Sequence, residues 1–154
     1  MAAAPASKGT PLHRSLTWRW HLVSKLSDRV TARAYQDELG LSLAEARCLS
    51  AIGQFAPLSV QDLARRANLD KANASRAAQS LMQRGLVVKA ANRDDGRGVV
   101  LGLTAAGRPL WRRTMRVVER RNREIFGCLS GEERRALDAI LDRVVAHLES
   151  AGEP

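Results

Sequence analysis

Cysteine is scarce in this chain: Cys48 and Cys128 stand far apart among 154 residues. Two such thiols build neither a disulfide framework nor a zinc site, and both are expected as small buried hydrophobes. Histidine is nearly as rare. His13, His21 and His147 fall near the ends of helical or unstructured segments without partnered acids, and no Cys or His pair has the i, i+4 or C-x-x-C spacing of a metal site. A nucleophile with its base is missing, as is any glycine-rich phosphate loop, so the chain does not read as an enzyme and implies no metal or cofactor. No window of about 18 apolar residues exists to span a bilayer. The opening MAAAPASKGTP also lacks the apolar stretch of a secretory signal, so residues 1–14 are expected to be a disordered tail on a cytoplasmic protein. Acidic residues are in deficit, 16 against 25 Lys and Arg, for a formal net charge of +9. A surface of that sign faces a polyanion or an anionic membrane, and the membrane would want bulky apolar anchors on a basic helix that are not found.

What is present is helix, interrupted at regular points. From Ser15 to about Glu38 nothing breaks a helix, and Leu16, Trp20, Val23, Val30 and Ala34 recur at helical steps. Gly40 ends it. Ser42 with Glu45 then makes a capping box that starts a second helix, to about Gln54, before Pro57 stops the chain again. Ser59 with Asp62 repeats the start signal for a short helix through Ala67, Asn68-Leu69 is a tight connection, and Asp70 caps a helix from Lys71 to about Arg84 that Gly85 closes. Leu63, Ala64 and Ala67 of the first can pack on Ala74, Ala77, Ala78 and Leu81 of the second, and so many alanines let the axes approach closely. This is helix-turn-helix geometry. Leu86 to Ala90 and Val99 to Leu103 read as the strands of a hairpin, with Asp-Asp-Gly-Arg-Gly as the turn between them.

Thr104 is expected to cap another long helix carrying Arg108, Arg112, Arg113, Arg116, Arg120, Arg121 and Arg123. Ser130 and Glu133 form a further capping box, after which Leu137, Ile140, Leu141, Val144, Val145 and Leu148 make one apolar stripe. A stripe of that kind must be buried. With the hairpin unit in the middle of the chain, the first and last helices form their own layer, most economically with a second copy of the protein, to which Leu16 of the first helix also contributes. The division expected is therefore a tail at 1–14, an N-terminal dimerisation helix at 15–40, a winged helix-turn-helix at 41–104 and C-terminal dimerisation helices at 105–150. The fold class is mainly α with a small β-hairpin wing (α+β).

In order and in the segments SVQDLARRANLDKANASRAAQSLMQRGLV and DDGRGVVLGLTAAG, the chain closely resembles the MarR family of bacterial winged-helix regulators. The likeness covers roughly residues 15 to 150. It rests on Leu63-Ala64, Asp70-Lys71 with Ser75-Arg76, Arg84-Gly85-Leu86-Val87, and Asp95-x-Arg97 followed by Leu101-x-Leu103-Thr104-x-x-Gly107. The resemblance implies a homodimer on pseudo-palindromic double-stranded DNA, a repressor, released by a small phenolic or aromatic-acid ligand. One departure is the alanine-rich recognition helix, where Ala72, Ala74, Ala77 and Ala78 replace bulkier residues and imply a looser core and a different base preference.

A major groove about 12 Å wide admits one helix, whose N-terminal turns reach base edges. With the alanines and Leu81 inward, Lys71, Ala72, Asn73, Ser75 and Arg76 face outward; Asn73 can pair adenine and Arg76 guanine. The alternative is a solvated helix face. At the wing, Arg97 can enter a narrow A·T minor groove with Asp95 holding it in shape, and Arg93 suits a phosphate, although hairpin loops are also charged simply because they are exposed. The arginine-rich helix fits a solvated surface with pairs such as Glu119 to Arg123 and Glu124 to Arg120 and Arg121 as well as it fits a second DNA surface. For an effector, Thr17, Trp20, His21 and Ser24 share a face of the first helix and could take an aromatic acid against Arg47, while Trp20 at helical spacing also reads as plain core. Two other functions stay open: a redox sensor using Cys48, next to Arg47, or Cys128 as a low-pKa thiolate, and an architectural DNA binder with no effector.

Overall fold

A computed structural model of the chain describes residues 9–93 and 98–152. The elements in order are α1 (Leu16–Leu39), α2 (Leu43–Phe55), α3 (Val60–Arg66), α4 (Lys71–Gln83), β1 (Val87–Ala91), β2 (Val99–Leu103), α5 (Gly107–Ile125) and α6 (Gly131–Ala151). The fold is thus mainly helical with one antiparallel hairpin, as the sequence predicts. It divides inside α5 into two compact units, one ending at Val117 and the other beginning at Val118.

Each helix starts where a side chain can satisfy its first N–H groups. Ser15, Ser42, Ser59, Asp70 and Ser130 accept from the backbone N–H three residues on, and at Ser42 and Ser130 the glutamate reaches back to complete the capping box. Asp62 lacks the extra methylene of a glutamate, and its carboxylate takes the Ser59 hydroxyl at 2.7 Å instead of closing a box. Two starts differ from the sequence reading. Leu12–Arg14, placed in the tail, form a 3-10 turn whose Leu12 carbonyl accepts the Ser15 hydroxyl. Thr104 does accept from the Gly107 N–H at 3.0 Å, but its hydroxyl also donates to Gly85 O at 2.7 Å, and regular α5 begins only at Gly107.

The core of the first unit is built around α2, which packs on α1, α3, α4 and β2. Leu41, Leu49, Ile52, Leu63, Leu81 and Leu101 are fully buried there. Ala74, Ala77 and Ala78 are buried with them, so small residues bring α4 close to its supports. Between α3 and α4, Asn68 turns at φ +53°, a left-handed conformation that asparagine tolerates, and Leu69 N–H reaches Ala64 O at 2.9 Å. In the hairpin, Val87 faces Leu103 and Ala91 faces Val99. Leu58 adds a bridge the sequence reading lacks: it exchanges backbone hydrogen bonds with Leu101 at 2.8 and 3.4 Å, tying the chain before α3 to the hairpin.

Candidate nucleic-acid interface

The sequence separates α4 into two faces, and the structure keeps them apart. Ala74, Ala77, Ala78 and Leu81 are buried, while Lys71, Ala72, Asn73, Ser75 and Arg76 are all exposed. Fixing that outward face is a polar knot which the sequence reading did not find. Glu45, on the first turn of α2, accepts the Ser80 hydroxyl at 2.6 Å and lies 3.5 Å from Arg84 Nη1, which also donates to Gly40 O at 3.1 Å. The end of α1, the start of α2 and the second half of α4 are thereby joined. Burial works against ionisation of Glu45, but the hydrogen bonds from Ser80 and Ser42 and the charge of Arg84 outweigh it and hold the carboxyl below its ordinary range. The capping-box spacing gave away Glu45; nothing local to it pointed to Ser80.

A second feature lies on the exposed face itself. Asp70 accepts from the backbone N–H of Asn73 at 2.8 Å and from its side-chain amide, and the Asn73 carbonyl oxygen accepts from Arg76 Nη2 at 2.6 Å. These bonds, the two from Asn73 first, hold the Asp70 carboxyl below its usual range. Lys71 and Arg76 are the cations of the face.

The helix ends in a Schellman turn, with Gly85 at φ +70° and hydrogen bonds from Gly85 N–H to Met82 O and Leu86 N–H to Leu81 O, both 2.9 Å. Thr104 returns from the hairpin to close on this turn through Gly85 O, and its N–H reaches Leu86 O at 3.1 Å. At the far end, Asn92 N–H donates to Gly98 O at 3.2 Å and Arg93 is exposed beside it. Asp95 and Arg97 lie outside the described residues.

Of the residues considered for an effector, Thr17, Trp20, His21 and Ser24 are exposed on α1, Trp20 to 57%. Arg47 reaches α1 as well, but its guanidinium is taken by Asp28 at 2.6 Å, one turn beyond Ser24. Leu16, Ile140, Val144, Val145 and Leu148 are exposed and Leu137 and Leu141 half-buried, and α6 has no buried residue. An open cleft within the second unit is lined by Arg123, Phe126, Leu137 and Leu141 among others. On α5, Arg120 and Arg121 pair with Glu124 as expected, whereas Arg113 donates to Glu38 O at 2.7 Å in the last turn of α1.

Of the two cysteines expected as buried hydrophobes, Cys48 is one and Cys128 is not. Cys128 is exposed rather than buried. Cys48 is fully buried beneath α4, and burial, with the charge of Glu45 adding to it, pushes its thiol up to about 12. Arg47 cannot offset this because it is turned towards Asp28. The surroundings of Cys48 thus oppose the low-pKa thiolate that a redox sensor would need. Among the described residues no group of His, Cys, Asp and Glu is placed to hold a metal ion, and no helix is long and apolar enough to cross a membrane.

Known proteins are similar in sequence and in fold. The sequence profile of the MarR family matches residues 39–98, from the end of α1 to the foot of β2. The HTH-type transcriptional repressor Rv2887 of Mycobacterium tuberculosis is 30% identical over 106 residues, which span 69% of this chain and 76% of the repressor. The structure of M. tuberculosis Rv2887 in complex with p-aminosalicylic acid is similar with a TM-score of 0.69 and 26% identity, over 84% of this chain and 98% of its own. BpsR of Bordetella bronchiseptica, whose DNA binding is regulated by 6-hydroxynicotinic acid, shares the fold at a TM-score of 0.78 and 20% identity, over 88% of this chain and 96% of its own.

Proposed function

Because the chain belongs to the MarR family of transcriptional regulators, we propose that it is a homodimeric repressor that binds a pseudo-palindromic site on double-stranded DNA. The observation that carries this reading is the exposure of Lys71, Ala72, Asn73, Ser75 and Arg76 on a helix whose opposite face is buried alanine and leucine. In this reading α4 enters the major groove, where Arg76 pairs with guanine and Lys71 meets phosphate. Arg93, at the exposed end of the hairpin, also contacts phosphate. From the sequence, Arg97 enters the adjacent minor groove with its guanidinium fixed by Asp95.

Titration on the preferred duplex and on random duplex tests the assignment. Arg76→Ala should relax sequence preference by about tenfold, the worth of a good bidentate base contact, while Arg93→Ala weakens all duplexes alike and flattens the salt slope by about one unit. Equal losses for both variants on both duplexes would show that Arg76 reads no base.

The effector in this reading is a small aromatic acid or phenol. Support comes from the aromatic acids named with Rv2887 and BpsR, and from an exposed ring, imidazole and hydroxyls on α1 near the Arg47–Asp28 pair. A ligand that binds only the folded state raises its melting temperature with concentration. A thermal-shift series with salicylate and hydroxynicotinate should show that rise, weakened by Trp20→Ala. No shift with any aromatic acid or phenol, beside intact DNA binding, would favour an architectural binder without effector.

A further inference from the structure

We propose that Asn73 reads no base, and that Asp70 and Asn73 form a relay that aims Arg76 at guanine. The inference rests on α4 being the base-reading helix and adds to it which side chains set its specificity. Asp70, Asn73 and Arg76 follow one another at three-residue steps along the exposed face. Asp70 Oδ1 accepts the Asn73 backbone N–H at 2.8 Å, Oδ2 accepts the Asn73 side-chain Nδ2–H, and Asn73 Oδ1 accepts Arg76 Nη2–H at 2.6 Å.

The direction of this chain is dictated from its first member. An ionised carboxylate only accepts, so the Asn73 amide must turn its NH₂ group towards Asp70, and its oxygen is left facing Arg76. Reading adenine would require the amide to offer its donor to N7 and its acceptor to the N6 amino group at once. The second N–H and second lone pair of the amide are open, but its first N–H holds Asp70 on one side and its first lone pair holds Arg76 on the other. Turning the amide edge-on to a base would break both bonds and leave Asp70 Oδ2 and an Arg76 N–H without partners in an interface that excludes water. Arg76 is in the opposite position: one nitrogen is held by Asn73, and the remaining N–H groups of the planar fork are available to O6 and N7 of guanine. The structure therefore assigns Asn73 a positioning role in place of the adenine contact expected from its residue type.

The test uses the full chain in five forms: wild type, Arg76→Ala, Asn73→Ala, Asp70→Asn, and the exchange Asp70→Asn with Asn73→Asp. Each is selected on a randomised duplex library, then titrated on the wild-type site with every base pair replaced in turn. Asparagine caps a helix about as well as aspartate, so Asp70→Asn keeps α4 intact, which thermal melting verifies. Its amide nitrogen, however, would face the Asn73 amide nitrogen and turn it round, so that donor meets donor at Arg76. Asn73→Ala and Asp70→Asn should each lose about tenfold discrimination at the same G·C pair that Arg76→Ala abolishes, and at no other pair. The exchange should restore it, because the new amide at position 70 donates to the new carboxylate at position 73, whose second oxygen again holds Arg76 at unchanged net charge. Relaxation of a separate A·T pair by Asn73→Ala, or failure of the exchange to recover guanine preference, overturns the relay. If wild type enriches no sequence at all, the base-reading assignment of α4 itself fails. If wild type enriches a site but Arg76→Ala changes no G·C pair, α4 keeps its role and the relay alone is refuted.

Discussion

Glu45 joins α2 to α4 with a single carboxylate, capping α2 at Ser42 while holding Ser80 and Arg84 of the α4 segment. Its folded-state carboxyl is held below the ordinary glutamate value of 4.5. Since the folded value is the lower one, the unfolded chain binds the proton more readily. The stabilisation from Glu45 is thus fully present above pH 4.5 and is lost as pH falls through the lowered folded value. Glu45→Gln removes the charge at every pH. The difference in urea midpoint between wild type and this variant should therefore be constant above pH 4.5 and shrink below it. A difference independent of pH would mean that only packing had been disturbed. Cys48, three residues on, is held differently: among the described residues its Sγ meets Ala74 O at 4.0 Å, and burial leaves it a neutral hydrophobe under α4.

At the scale of elements, the base of the hairpin is joined to the end of α4 by Gly107, the first residue of α5. A Cβ there would overlap the carbonyl oxygen of Leu86, and Leu86 is the residue whose N–H closes the Schellman turn of α4. Backbone on that side cannot yield as a flexible side chain would. Gly107→Ala should accordingly cost about 1–3 kcal/mol of unfolding free energy, the usual range for overpacking a tight contact. The displaced hairpin should weaken DNA affinity beyond what the stability loss explains. Urea denaturation together with a binding titration checks both, and a neutral variant would show that the approach is not needed. Gly53 of α2 is approached closely too, but by a side chain: an added Cβ would overlap the Trp111 ring.

For the whole molecule, the unburied apolar surface decides what kind of assembly is stable. Ile140, Val144, Val145 and Leu148 are 51%, 47%, 53% and 63% exposed, and Leu16 is 81% exposed, in a chain whose α6 buries no residue of its own. Such a continuous stripe on a 21-residue helix calls for a partner, and a second copy supplies an identical stripe. Val144→Asp places a carboxylate where that interface would exclude water, a cost of several kcal/mol for each copy of the charge. Light scattering at micromolar concentration should find wild type as a dimer and the dimer lost in this variant, with DNA affinity falling alongside. A variant that remains dimeric would remove α6 from the interface.

The sequence alone determined whatever is settled within about a turn of chain. Capping at Ser42, Asp70 and Ser130, termination at Gly40 and Gly85, and the turn residues between two apolar strands all depend on neighbours a few residues away, so residue types were enough to place the helices and the hairpin, whose first strand, read at 86–90, lies at 87–91. The alanine face of α4 was legible for the same reason, and with it the outward set from Lys71 to Arg76. Only the tertiary structure decided which distant groups meet. Ser80 finds Glu45 35 positions away and Arg113 finds Glu38 75 positions away, contacts that no local spacing encodes. The regular start of α5 moved to Gly107 because Thr104 is also held by Gly85, and Arg47 left Cys48 because Asp28 of α1 offered it a carboxylate. A side chain's type states what bonds it can make; which of them it makes is fixed by the competition among partners that folding brings within reach.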